Sequence, residues 1–259
     1  MSRRVIIGII IGIAVIVVVV IAGASLSIYI RGGSGEPSEE ISAPTLEPRA
    51  AETEAATPSE EMVETEASVE TNDLLFHIIP EESEVRFVLN EVLRGQPTQV
   101  TGRTSEVAGD ILVDRVNPAN SVIGTIRINV RTLQTDQEMR NRAIRAEILE
   151  SARDEYEFAQ FEPTELIGMP ESVEVGTPFS FTIVGNLTVR DITSEVTFEV
   201  TVNPISEMMI EGSASAQVLR SDFELEIPSA PGVANVTNEV MLEIDFVAEL
   251  DESATPLEG

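Results

Sequence analysis

Val240-Met241-Leu242-Glu243-Ile244-Asp245-Phe246-Val247-Ala248-Glu249-Leu250 places an apolar residue at every second position, from Val240 to Leu250. Glu243, Asp245 and Glu249 stand between them. A period of two is that of a β-strand with one buried and one wet face. The pattern recurs upstream. Val196, Phe198, Val200 and Val202 alternate with Thr197, Glu199 and Thr201. Val122, Gly124, Ile126, Ile128 and Val130 alternate with Thr125, Arg127, Asn129 and Arg131, so Ser121–Arg131 reads as one unbroken strand. Further strands are predicted at Leu74–Ile79, through Val85, Phe87 and Leu89, and at Val100–Arg103, Ile111–Val113, Glu157–Leu166, Phe179–Val189 and Met208–Leu219. Gly95 and Pro97 punctuate the turn after the second of them.

One helix interrupts the strands. Thr135-Asp136-Gln137-Glu138 is a capping-box sequence, with Thr135 as N-cap, and predicts a helix from Asp136 to about Leu149. Met139, Ala143 and Ala146 share a face, Ile144 and Ile148 lie nearby, and arginines fill much of the rest, as on an amphipathic surface helix. Strands joined by short turns, with one helix, fit a closed antiparallel barrel or a sandwich. A barrel of about eight strands has room inside for one small ligand.

Composition narrows the chemistry. The 259 residues include no Cys and no Trp, and His77 is the single histidine. All sixteen basic residues are Arg. Disulfides, thiolate metal sites, Schiff-base lysines and a phosphate-loop lysine are therefore excluded. A formal charge of −29 repels nucleic acid and anionic surfaces, so no nucleic-acid partner is expected. A Ser-His-Asp triad would need His77, which has no supporting pattern around it. Asp110, Asp114 and Asp191 could face a hard cation, but no loop has EF-hand spacing and solvated turns are the simpler reading. No catalytic residue, metal ligand or cofactor is expected.

The segment Val5–Ile30 runs 26 residues without a charge, preceded by Arg3 and Arg4 and followed by Arg31. It is long enough to span a bilayer, and the positive-inside rule leaves the N-terminus cytoplasmic. Residues 1–31 therefore read as a transmembrane anchor. The rival is a signal peptide cleaved near Ala22-Gly23-Ala24, which would secrete the same domain. Residues 32–73 hold eleven glutamates against Arg49 and no aromatic residue before Asp73, the composition of a disordered acidic linker. Residues 74–251 form the expected folded domain, and 252–259 a disordered tail.

Four stretches of that domain resemble the YceI-like family of bacterial polyisoprenoid-binding proteins, and they follow the family's order. They are Val107-Ala108-Gly109-Asp110-Ile111; Thr132-Leu133-Gln134-Thr135 with Arg140-Asn141-Arg142-Ala143-Ile144-Arg145; Gly185–Thr193; and Leu219-Arg220-Ser221-Asp222-Phe223. Asn141, Ala143, Glu157 and Glu224 depart from the family's usual residues. The resemblance implies an all-β fold, an extended antiparallel lipocalin-like β-barrel with one amphipathic helix, enclosing a long apolar pocket. It implies a polyisoprenoid or other long-chain lipid as partner, held for carriage or sequestration.

Candidate ligand-binding positions are the apolar sides of the alternating strands: Phe87, Ile126, Ile128, Phe181, Ile183, Phe198, Val200, Ile244 and Phe246. The alternative for each is an ordinary core residue, since packing closes the ends of a barrel. Six of the domain's twelve arginines fall between Arg127 and Arg153. They could form a positive patch for a ligand head group or pair internally with the abundant glutamates. The expected protein is a membrane-tethered, extracytoplasmic lipid binder rather than an enzyme. The alternative is a cell-surface protein-interaction module that uses the barrel only as a scaffold. Homodimerisation is left open.

Overall fold

The computed structural model describes residues 41–46 and 73–253. The expected anchor, most of the expected linker and the end of the tail lie outside the described residues. Among those described, no helix is long and apolar enough to cross a membrane.

Thirteen strands join one antiparallel sheet: β1 (Asp73–Ile78), β2 (Glu84–Leu93), β3 (Gln96–Thr104), β4 (Val107–Ala108), β5 (Asp110–Asp114), β6 (Val122–Ile123), β7 (Ile126–Asn129), β8 (Phe158–Ile167), β9 (Phe179–Val189), β10 (Ile192–Ser206), β11 (Met209–Leu219), β12 (Val233–Ala234) and β13 (Glu239–Leu250). Their order is β4-β7-β8-β9-β10-β11-β13-β1-β5-β6, with β2 pairing with β13, β3 and β12. β4 and β5 are joined through Gly109, yet they lie near opposite ends of that order, so the sheet must curl round on itself. The Ile78 N–H donates to Gly109 O at 3.0 Å and the Gly124 N–H to Asp110 O at 2.8 Å where the ends meet. The result is a curled, lipocalin-like barrel with one short helix, its core inside the curl around Phe76, Phe161, Phe181, Val200 and Ala248.

β13 carries the greatest share of the pairing. One edge pairs with β11 from Glu239 to Glu249 without a break in register. The other edge is divided, with Met241–Asp245 on β2 and Ala248–Leu250 on β1. At the junction the buried Ser83 hydroxyl accepts from the Val247 N–H at 3.1 Å and donates to Ile79 O at 2.7 Å. A side chain thus replaces the missing ladder partner, and no backbone donor there is stranded.

The period-two readings mark real strands, but two expectations need correction. Ser121–Arg131 is not one strand. β6 pairs with β5 and β7 with β4 and β8, and between them the backbone N–H of Gly124 turns to Asp110. After Asn129 the chain enters a 3₁₀ turn, because the Asn129 side chain accepts from the Arg131 N–H at 3.1 Å.

The helix is also shorter than the pattern predicts. It is α1 (Glu138–Ala143), continued by a π-helical turn over Ile144–Ile148. Thr135 does not cap it. Its N–H and hydroxyl both donate to Asn141 Oδ1, at 2.8 and 2.7 Å, so the capping box never forms. The inward face belongs to Ile144, which is buried, whereas Met139 is exposed.

Part of the expected linker lies on the sheet. The Leu46 N–H donates to Asp110 Oδ2 at 2.9 Å, Ser42 O accepts from Arg127 Nη1 at 3.1 Å, and Leu46 sits over Gly124. Asp110 is held from its other side by His77, whose Nδ1 lies 2.7 Å from Oδ1. His77 Nε2 reaches Asp251 Oδ2 at 3.0 Å, so one imidazole ties β1, β5 and the chain just past β13.

Gly185 faces Pro163 at the β8 bulge, and a Cβ there would lie 2.6 Å from the Glu162 carbonyl oxygen. Backbone cannot swing aside as a side chain can, so Gly185→Ala should cost about 1–3 kcal/mol in a urea titration. Desolvation by burial opposes protonation of His77, but its hydrogen bonds to Asp251 and Asp110 outweigh that and raise its pKa above 6.5. Hydrogen bonds from Ser253 and then His77 hold Asp251 far below the usual carboxylate range.

A raised histidine pKa gives stability that is complete below 6.5 and lost as pH rises through the folded value. A lowered carboxylate pKa gives stability present above about pH 4 and lost on acidification. The latch is therefore strongest between about pH 4 and 6.5. With one His and no Cys or Lys, few other groups titrate just above that window. The melting temperature should fall by a small amount from pH 6.5 to 9, since the ring is over a third exposed and screened, and His77→Gln should flatten that slope.

Candidate functional site

The inner face of the barrel does not close on itself. It surrounds a cavity of about 740 Å³. All nine positions singled out from the alternation line it: Phe87, Ile126, Ile128, Phe181, Ile183, Phe198, Val200, Ile244 and Phe246. Phe181, Ile183, Val200 and Phe246 are buried. Phe87, Ile126, Ile128, Phe198 and Ile244 keep accessible surface although they line the interior. Side chains that line the interior and still touch solvent-sized space are the mark of a hollow interior rather than a packed one.

Glycines on the wall help keep it hollow. Phe87 pairs across the ladder with Gly102, and Phe246 with Gly212. In both pairs the ring occupies the space a Cβ would take, and the Phe161 ring does the same at Gly185. Rings laid on glycines cover the backbone and project less toward the centre. Phe161 also meets Phe198 edge to face, with centroids 4.9 Å apart. Each pairing joins residues far apart in the chain, so no local pattern announces it.

The cavity has unlike ends. At one, α1 and the following turn contribute Ile144, Ile148 and Leu149, and the segment before β13 adds Phe223, Leu225, Ile227 and Val236. The alternation does not mark these residues. Ile144 and Ile148 could have been found as an i, i+4 pair, but the 223–236 segment has no period at all. At this end Arg140 Nη2 lies 2.8 Å from the buried Glu91 Oε1, and both residues line the cavity. The pair joins α1 to the barrel wall and neutralises the carboxylate there. At the other end the cavity reaches Arg115, Val173, Glu174, Val175, Pro204 and Glu207.

The arginines between Arg127 and Arg153 are engaged internally. Arg131 is buried against Glu157 at 3.1 Å and reaches Asp154 at 2.9 Å. Arg140 also meets Asp136, Arg142 and Arg145 both approach Glu138, and Arg153 pairs with Glu150 and Glu155. Arg127 stacks over Phe158, 3.6 Å from the ring centroid. Internal pairing is the alternative the structure realises, and the positive head-group patch is not formed by these six. Among the described residues, no cluster of three or more potential ligands could hold a metal ion.

Comparisons with known proteins accord with this geometry. A polyisoprenoid binding domain from Saccharophagus degradans, implicated in plant cell wall breakdown, superposes with a TM-score of 0.53 at 14% identity, covering 69% of this chain and 99% of that one. Burkholderia cenocepacia BcnA superposes with a TM-score of 0.51 at 19% identity, covering 66% of this chain and 98% of that one. At these identities the likeness is one of fold. A search of curated proteins found no match. The sequence itself matches the YceI-like domain over residues 76–248, most of the chain, and the protein belongs to the YceI-like family.

Proposed function

We propose that this protein binds a polyisoprenoid or similar long-chain amphiphile inside the barrel, for carriage or sequestration. The observation that carries the reading is the hollow, apolar interior of about 740 Å³. That volume lies within the range of about 300–1,000 Å³ typical of small-molecule sites. Burial of one methylene is worth about 0.8 kcal/mol, so a chain with about ten buried carbons gains about 8 kcal/mol before ordering costs. The description of the Saccharophagus neighbour as a polyisoprenoid binding domain supports the same class of ligand. We further propose that the uncharged run Val5–Ile30 tethers the domain to a membrane. Arg3 and Arg4 before that run support a cytoplasmic N-terminus and an extracytoplasmic barrel.

Native mass spectrometry and organic extraction of the full-length protein test the proposal. One long-chain lipid per protein is expected. Ala214 lines the cavity between Val200 and Ile244 on the neighbouring strands. Ala214→Phe directs a ring into the cavity that Ala214 lines. It should leave the melting temperature near wild type while weakening lipid retention about tenfold, or about 1.4 kcal/mol. A protein that emerges empty and takes up no lipid would overturn the reading.

A further inference from the structure

The exposed apolar side chains are not scattered. Of the seven large hydrophobic residues exposed among the described residues, six are Val116, Ile167, Val173, Val175, Ile205 and Met208. They sit in the β5–β6 turn, the β8–β9 loop with the end of β8, and the β10–β11 turn with the end of β10. The register pairs Asp73↔Asp114, Phe179↔Val202 and Met209↔Glu249 put those connections at one end of the barrel. They are tied together there: the Gly176 N–H donates to Pro204 O at 2.7 Å, and Arg115 Nη2 lies 2.9 Å from Glu207 Oε2. The seventh, Met139, is on α1 at the opposite end.

This apolar rim is continuous with the cavity. Among the apolar residues that line it, only Val173 and Val175 are exposed, so the cavity meets the outside at the rim. At the far end Ile144 and Phe223 are buried, and Ile148, Leu149, Leu225, Ile227 and Val236 are half-buried, so no lining apolar side chain there is as exposed as Val173 and Val175. β1 begins at this same end with Asp73, so the chain enters the barrel beside the rim. Ile41–Leu46 already lies on the barrel wall, which leaves only residues 31–40 between the uncharged run and the docked segment. Ten residues reach at most about 35 Å when fully extended.

Charge selects the kind of surface. Arg115 is the only cation in these loops and is paired, while Glu171, Glu174 and Glu207 add negative charge. Such a rim suits uncharged lipid and is repelled by anionic head groups.

From these observations we propose that the rim of Val116, Ile167, Val173, Val175, Ile205 and Met208 docks on an electrically neutral lipid bilayer surface, with the cavity mouth facing the acyl boundary. Apolar loops that insert to the head-group boundary bind in proportion to the apolar area they bury. A lipid can then pass between bilayer and barrel without its chain crossing water. The inference deepens the lipid-binding reading, and rests on it for the purpose of the docking but not for the contact itself.

The lack of cysteine makes the test clean. The full-length chain is reconstituted in phosphatidylcholine vesicles with one spin label, at Val116→Cys, Val175→Cys, Ile205→Cys or Met139→Cys. Relaxation by oxygen, which concentrates in lipid, is compared with relaxation by a water-soluble nickel chelate. The first three labels should show a severalfold higher oxygen-to-nickel ratio than the Met139 label, and Val173→Asp with Val175→Asp should abolish the difference for the Val116 and Ile205 labels. Labels that all report water, a lipid signal at Met139 alone, or docking seen only on vesicles containing phosphatidylglycerol would overturn the proposal. Extraction of the same samples separates the two readings. Lipid-filled protein with water-exposed labels defeats the docking and leaves the binding function standing. Docked protein with an empty interior that takes up no lipid defeats the binding function and leaves the docking standing.

Discussion

The barrel depends on how β13 changes partners at Val247. One edge of β13 is fully committed to β11, and the other must serve both β1 and β2. A strand cannot pair with two others at one residue, so a gap in the ladder is unavoidable. The Ser83 hydroxyl fills it, accepting from Val247 and donating to Ile79. This lets β1 lead on to β5 while β2 leads on to β3, so one strand supports both arms of the curl. Without that side chain, a half-buried N–H would lose its partner at the site where the two arms diverge.

A hollow interior carries an energetic burden. Wall atoms facing a void lack the dispersion contacts that a packed core supplies. Here the deficit is offset along the wall itself. The long ladders β9–β10 and β11–β13 satisfy the backbone, and the rings of Phe87, Phe161 and Phe246 lie on glycines of neighbouring strands. Packing is thus directed sideways, strand to strand, rather than across the lumen. An apolar ligand would restore the missing contacts from within, so stability and occupancy should be coupled.

The strands are legible in the sequence because a half-buried strand repeats its requirement every second residue. That spacing alone places Ile126, Ile128, Phe198, Val200, Ile244 and Phe246 on an inner face. What periodicity cannot reveal is whether opposing inner faces touch. That depends on curvature and on pairs such as Phe87 with Gly102, which the register alone creates. Local signals fail where a distant group competes for the same atoms. Thr135 has the sequence of a helix cap, but Asn141 takes its hydroxyl. Gly124 fits the alternation, but its N–H goes to Asp110 and its missing side chain leaves room for Leu46. Ile41–Leu46 has the composition of a linker, and only its contacts with Asp110 and Arg127 reveal it as part of the wall.

The two ends of the cavity differ in the kind of interaction that finishes them. At the α1 end a polar device does the work. The buried Glu91 is neutralised by Arg140, which holds the helix down while Ile144 faces inward. An ion pair in such a place favours one arrangement strongly, because separating it would strand a charge in an apolar setting. At the other end no buried ion pair lines the cavity among the described residues. Arg115 and Glu207 join neighbouring turns along the rim, where Val173 and Val175 line the cavity and are also exposed. A rim closed by specific polar bonds would have to break them whenever a ligand passed. An apolar rim needs only another apolar surface to meet it. Val173 and Val175 are both exposed and part of the cavity lining, so the apolar surface of the interior runs out onto the rim.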